Sequence, residues 1–220
     1  MLNQKGSCLY LVIFLAAVAF CLTAFLSDAD RCFYTGEWGP IELTGVFLYI
    51  PAIIVLILYS RHDRPFFVHT AVILALMAIR ELDFQTAFTS KNILNKRYFL
   101  DGVEGFTGEQ VVAAIALGLI ALVILSYLRY FPRLVANLRK RKAFAFSILT
   151  ILLVIPASIL MDGAYRVVHN EWGLPLSLGV KHFLSSLEEV LESGIPIMIL
   201  WAFLQYRVDQ RDDPSATPPC

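Results

Sequence analysis

The sequence predicts an all-α protein, a polytopic membrane helix bundle of six transmembrane helices. Three observations predict it. Of the 220 residues, 58% are hydrophobic and 16% charged, an apolar share above the roughly 45–50% of soluble domains. The apolar residues fall into runs close to the about 20 residues that a membrane span requires. The charges are segregated between those runs, and neither an internal repeat nor a shift in composition marks a second domain.

The bundle is expected over residues 1–206, with a disordered cytoplasmic tail over 207–220. The first span, 8–26, follows Lys5 and has the flank of a signal peptide. Its long apolar run, with more spans behind it, makes it an uncleaved signal anchor. Residues 27–40 form an acidic loop containing Arg31. The second span, 41–60, opens on Glu42 and holds Pro51, which should kink it. RHDRP makes a tight turn into the third span, 66–86. That span is apolar to Ile79 and then runs into Arg80, Glu81 and Asp83 with no loop signal. Glu81 and Gln85 share a helix face at i,i+4.

Lys91–Leu100 combines Ile93, Leu94, Phe99 and Leu100 with Lys91, Lys96 and Arg97. This mixture suits a short helix lying in the membrane interface over the outer mouth of the bundle. The fourth span is 111–131, followed by the basic loop PRLVANLRKRK. The fifth is 143–161, kinked at Pro156 and ended by Asp162-Gly163. Residues 163–186 form an external connector, and the sixth span is 187–206 with Pro196 inside.

Orientation follows from lysine and arginine in short loops. Arg61, Arg64 and the run Arg139–Lys142 put the loops after spans two and four, and both termini, in the cytoplasm. Lys91, Lys96 and Arg97 run against this trend and are outvoted. Formal net charge is zero, so no global field favours nucleic acid, and the RKRK run is a topology determinant. Membrane lipids, and a membrane-protein partner, are the partners that such a surface fits. Cys8, Cys21, Cys32 and Cys220 form no CxxC and no zinc-type spacing. Cys8 and Cys21 serve as small hydrophobes.

That topology collects carboxylates on the outer side: Glu37, Glu42, Glu81, Asp83, Asp162, Glu188, Glu189 and Glu192, with Arg80, Arg166, His169 and His182. A charge at membrane depth costs about 2.5–3.5 kcal/mol. Glu42, Glu188 and Glu189 are expected at helix N-termini, where the dipole favours anions. Ser186 and Glu189 also fit an S-x-x-E capping box. Glu81, Asp83 and Asp162 are expected at C-terminal ends, against the dipole. Glu192 lies a turn deeper than any cap needs. These four are expected to converge in one outward-opening pocket within reach of Arg80, Arg166 or His182.

Such a cluster supports three chemistries. The first is a structural or partner- or ligand-binding polar network, with the arginines as counter-ions. The second is a metal-dependent hydrolase or transferase acting on a lipid-like substrate. Glu81, Asp83, Asp162 and Glu192 would hold a divalent metal, with His182 added for zinc; neither HxxxH nor HExxH is present. The third is an ion or proton-coupled transporter, for which His69 is the intramembrane relay in the cytoplasmic half.

E-W-G-P-I-E at Glu37–Glu42, R-E-L-D-F at Arg80–Phe84 and L-E-E-V-L-E at Leu187–Glu192 resemble landmarks of a loose group of uncharacterised bacterial multi-pass membrane proteins. The resemblance covers three short blocks and implies a bacterial inner-membrane location, with no activity attached. The Asn-Leu-His-Asn block of parts of that group is absent. Membrane hydrolases related to alkaline ceramidase are a second comparison, but their paired-histidine motif is missing.

The expected topology has a direct test. In a variant stripped of its native cysteines, a new cysteine beside Lys140 should resist an impermeant thiol reagent added from the periplasm. Labelling there reverses the orientation.

Overall fold

Seven α-helices, without a strand, account for the ordered elements among the described residues of the computed structural model, which are 6–35, 39–59, 64–81, 108–168, 172 and 177–211. Helix α1, Ser7–Phe25, starts at Gly6, whose φ of 95° is left-handed backbone that glycine adopts freely. Cys8, Leu15 and Ala19 form its buried stripe.

Helix α2, Asp28–Thr35, occupies ground expected to be loop. Its start is a serine N-cap that the sequence reading overlooked. Ser27 Oγ accepts the Asp30 backbone N–H at 3.2 Å and donates to Asp30 Oδ2 at 2.6 Å. Satisfying first-turn donors in this way lets a short polar helix form. Arg31, on α2, is buried and turns back to α1. Its Nη2 donates to the Thr23 carbonyl at 3.2 Å and to the Leu26 carbonyl at 3.1 Å. A helix C-terminus leaves carbonyls without partners and attracts cations, so Arg31 caps α1.

Helix α3, Pro40–Leu58, has proline at its first position, where the missing N–H costs no intrahelical bond. It stays helical through Pro51. Helix α4 is Arg64–Glu81. Residues 82–86 of the expected third span, Asp83 and the interfacial segment Lys91–Leu100 lie outside the described residues. So do Glu37, His169 and residues 212–220.

Three helices overrun their expected ends. Helix α5, Gly108–Arg139, continues past Phe131 and through Pro132. Helix α6, Ala143–Arg166, continues past Gly163, because one glycine costs a helix only about 1 kcal/mol. Helix α7, Leu178–Arg211, begins well before residue 187 and takes in 207–211, which were expected as tail. Its start is set by Ser177, whose Oγ accepts the Val180 N–H at 3.4 Å.

Helix α5 stops in a Schellman turn. Lys142 N–H bonds the Asn137 carbonyl at 3.0 Å and Arg141 N–H bonds the Leu138 carbonyl at 2.9 Å. Arg141 takes φ 57°, the left-handed conformation that this motif usually gives to glycine.

The chain divides into two compact units, Met1–Ala52 with Val135–Cys220, and Ile53–Leu134. In the first, α7 is central. Helices α6 and α1 pack along it, α1 also touches α6, and α2 touches α7. Gly45, Tyr49 and Ala52 bury one stripe of α3, and Ser147, Ile151, Val154 and Ser158 one stripe of α6. In the second unit, Phe67, Ala71 and Leu74 bury one stripe of α4. Phe66 meets Tyr130 edge-on at 5.3 Å, and the Arg133 guanidinium lies 5.5 Å from the Tyr130 ring centre.

Two stretches among the described residues have the length and apolarity of a membrane span: Ser7–Phe25, and Ala29–Leu58 with α3 as its apolar part. Pro65–Ile79 and Ala143–Ser158 are apolar helical segments of less than span length. The described residues are thus all-α, and two of their helices are long and apolar enough to cross a membrane.

The left-handed arginine yields a prediction. An L-residue there costs roughly 1–2 kcal/mol that glycine does not pay. Arg141→Gly should therefore raise the thermal stability of the purified protein by about 1 kcal/mol; a lower melting temperature would contradict the turn geometry.

Candidate functional site

One turn of α7 meets three other helices. Glu192 is 5% exposed, and its Oε1 accepts the Ser158 hydroxyl of α6 at 3.2 Å. That hydroxyl is shared with the Ile155 carbonyl at 3.0 Å. Ser193 Oγ donates to the Ile41 carbonyl in the first turn of α3 at 3.0 Å. Gly194 lies against Leu15 of α1, so close that a Cβ there would overlap the leucine. Gly45 of α3 is its counterpart, since a Cβ on it would come within 2.8 Å of Ser193 Oγ and 3.0 Å of Ser193 Cα. Small residues let these backbones approach, and the approach brings the polar side chains into register.

Pro196, fully buried in the next turn, supplies no N–H to the Glu192 carbonyl four residues before it. The same short stretch thus holds a buried carboxylate and a break in the backbone ladder.

A second polar layer lies about 20 Å further along α7, at about 1.5 Å rise per residue. Gln205 is completely buried there. Its Oε1 accepts the Ser147 hydroxyl of α6 at 2.6 Å, and its Nε2 donates to Ser7 Oγ of α1 at 2.7 Å. Ser7 Oγ also accepts Trp201 Nε1–H at 2.8 Å, and the Cys8 thiol is hydrogen-bonded with Ser147. Both Gln205 amide atoms and the Ser147 hydroxyl have partners, as buried polar groups require. Between the layers, Ile195, Met198 and Ala202 of α7 are buried and apolar.

The expected site residues divide as follows. Glu192 is buried at the crossing. Glu42 lies in the first turn of α3, where the helix dipole suits it. Glu188 and Glu189 are half-buried in the interior of α7 rather than at its N-terminus, because the helix starts at Leu178. The capping box of Ser186 and Glu189 is likewise not formed. Ser186 is inside the helix, and its buried hydroxyl has no hydrogen-bond partner among the described residues. His182 is half-buried on α7, about 15 Å along the axis from Glu192, so one ion does not bridge the two directly.

Arg80 and Glu81 fall in the last turn of α4, and Asp162 and Arg166 in the last turns of α6; their side chains, like all of Asp83, lie outside the described residues. Helix register still carries information about Asp162. Ser147 pairs with Gln205 and Ser158 with Glu192, so α6 and α7 are antiparallel. One turn beyond Ser158, the Asp162 backbone comes to the level of Glu188. Among the described residues, no group of three His, Cys, Asp or Glu side chains could hold a metal ion.

Sequence reasoning missed Ser158, Ser193, Gly45 and Gly194. The signal was present as serine and glycine at spaced positions of apolar helices. Gln205, Ser147 and Ser7 were missed because isolated polar residues at the edges of apolar runs form no pattern in the sequence.

No protein-family model, no curated protein and no solved structure matches the chain. The resemblance to the bacterial membrane group therefore rests on its three short blocks alone.

The crossing is testable through its glycines. Gly45→Ala should lose about 1–3 kcal/mol, because the new methyl meets Ser193 backbone. Gly118→Ala should lose nothing and gain up to about 1 kcal/mol, because nothing lies within 4 Å. Thermal melting in detergent compares the two, and equal losses would contradict the crossing.

Proposed function

We propose that the chain is a multi-pass protein of a bacterial inner membrane, with six spans, both termini cytoplasmic, and buried polar groups that act as a structural lock on the bundle. The observation that carries the membrane part is an inverted distribution of polarity. The central helix α7 keeps Glu192 and Gln205 buried, while α1 exposes Leu9, Ile13, Phe14, Phe20 and Phe25, the last at 81%. Apolar faces of this extent are not left to water in a soluble monomer.

The core helix of a soluble protein and a cleaved signal sequence are also long and apolar, but neither fits as well. A soluble core helix is mostly buried, whereas only 17% of the α1 window and 22% of the Ala29–Leu58 window are. A cleaved signal sequence would not be wired to the far end of the chain, and Ser7 accepts hydrogen bonds from Trp201 and Gln205. The uncharged run 111–128, the segments Pro65–Ile79 and Ala143–Ser158, and the apolar stretch of α7 supply the other four spans. The basic Arg139–Lys142 turn keeps the cytoplasmic side assigned.

The lock follows from pairing. Ser147, Ser193 and Gln205 each bond a group on another helix, as does Ser158 beside its bond to Ile155 of its own helix, and these pairs fix which helices meet. Nothing in these pairs requires Glu192 to exchange a proton or hold an ion.

The experiment has two parts. An alkaline wash should leave the protein in the membrane fraction, and release by that wash would end the membrane reading. Glu192→Leu cannot accept the Ser158 hydrogen bond, so Glu192→Gln, which can, should melt closer to the parent protein. Magnesium, calcium, zinc or chelator should shift neither. A metal-induced rise that disappears in Glu192→Gln would replace the lock with a metal site.

A further inference from the structure

The turn between α5 and α6 carries Arg139, Lys140, Arg141 and Lys142 in succession. The first three are exposed and Lys142 is half-buried. Such a run is self-repelling. No aspartate or glutamate occurs between Glu109 and Asp162, and the first turn of α6 holds no acidic residue. The two helices that meet at this turn therefore bring no carboxylate near it, and the antiparallel α7 brings one, Asp209, to about its level, against four cations.

Arg141 is the informative member. Its φ of 57° is the position that favours glycine, yet the chain carries a cation there. A topology signal does not explain the choice, since three neighbouring cations already mark the side of the membrane. The exposed guanidinium of this residue presents a planar fork of donors suited to a multi-oxygen anion such as a phosphate.

The surroundings say which anion. Phe144, two residues after Lys142, packs edge-on against Tyr206 of α7 at 5.3 Å and 90°, and Arg207 follows. Aromatic rings beside cations at the ends of apolar helices are the composition of the headgroup layer. We propose that the Arg139–Lys142 turn binds the phosphate headgroups of anionic phospholipids in the folded protein. This inference rests on the membrane reading above and adds a lipid class and a place. It is separate from the orientation rule, which acts during insertion and needs no bound lipid.

The test uses the full-length protein in detergent with added phosphatidylglycerol or phosphatidylcholine, read by lipid retention and by melting temperature. Phosphatidylglycerol should be retained preferentially and should raise the melting temperature, with the effect weakening at high salt. Removing one cation should weaken retention by about fivefold. Arg141→Gly is the decisive variant, because it relaxes the turn while deleting the charge: it should melt higher than the parent without lipid and yet retain less phosphatidylglycerol. Lys140→Gln should retain less without the stability gain.

Equal retention of the two lipids, or unchanged retention in both variants, overturns the proposal. Glycerol phosphate protecting as well as the lipid does would assign the site to a free phosphate compound and overturn it too. Soluble polyglutamate protecting better than the lipid would point to an acidic protein instead. A protein that stays monomeric and soluble without detergent defeats the membrane reading itself, an outcome distinct from all of these.

Discussion

Glu192, Ser193 and Gly194 face three different helices from a single turn of α7, and the first unit depends on that turn. Side chains 100° apart around a helix can address α6, α3 and α1 at one level. Each contact is of a different kind: a carboxylate accepting a hydroxyl, a hydroxyl donating to a carbonyl, and a missing side chain that admits a leucine. On the membrane reading proposed above, the hydrophobic effect does little to press helices together, so close packing and interhelical hydrogen bonds must do it. A bulkier residue at 194 or 45 would separate backbones and lengthen the polar bonds beside them.

The prolines belong to the same logic. In water a mid-helix proline costs about 3 kcal/mol or more, and Pro51, Pro156 and Pro196 would each be expected to break or kink a helix. All three sit inside helices that continue. Within a bundle, neighbouring helices and hydroxyl side chains can satisfy the freed carbonyl groups. Pro196 follows the crossing turn directly, so the least regular part of α7 is also its most enclosed.

The helical class was legible because apolar runs this long leave few other structures. The helix ends were not, because the sequence marks the edge of an apolar run and helices do not stop there. α5 runs on through PRLVANLR since only Pro132 opposes it, and its actual stop is the hydrogen-bonded turn at Arg141. α7 begins at Leu178 because Ser177 caps it, which moved Glu188 and Glu189 from the terminus to the interior and removed the dipole argument for them. α2 was legible in principle, through S-x-x-D at Ser27–Asp30, but its acidic and polar composition read as loop. Of the site, Glu192 was singled out for lack of a local excuse, and burial supplies the reason. Ser158 and Gly45 were invisible individually, because their importance lies in what faces them across a helix interface.

The two polar layers together restrict the bundle more than either does alone. A single hydrogen bond between α6 and α7 would tolerate rotation or a tilt about it. Ser158 with Glu192 and Ser147 with Gln205 are separated by about 17–20 Å along the helices, so both pairs survive only in one register and one relative rotation. Sliding by a turn would break both and leave a carboxylate and a primary amide buried without these partners, at a cost of about 1–3 kcal/mol or more for each. Gln205 also bonds Ser7, so the register of α6 against α7 is tied to that of α1. The apolar layer of Ile195, Met198 and Ala202 between the two can then be soft and adaptable without loss of specificity. Polar residues set the alignment, and apolar residues fill the space that the alignment leaves.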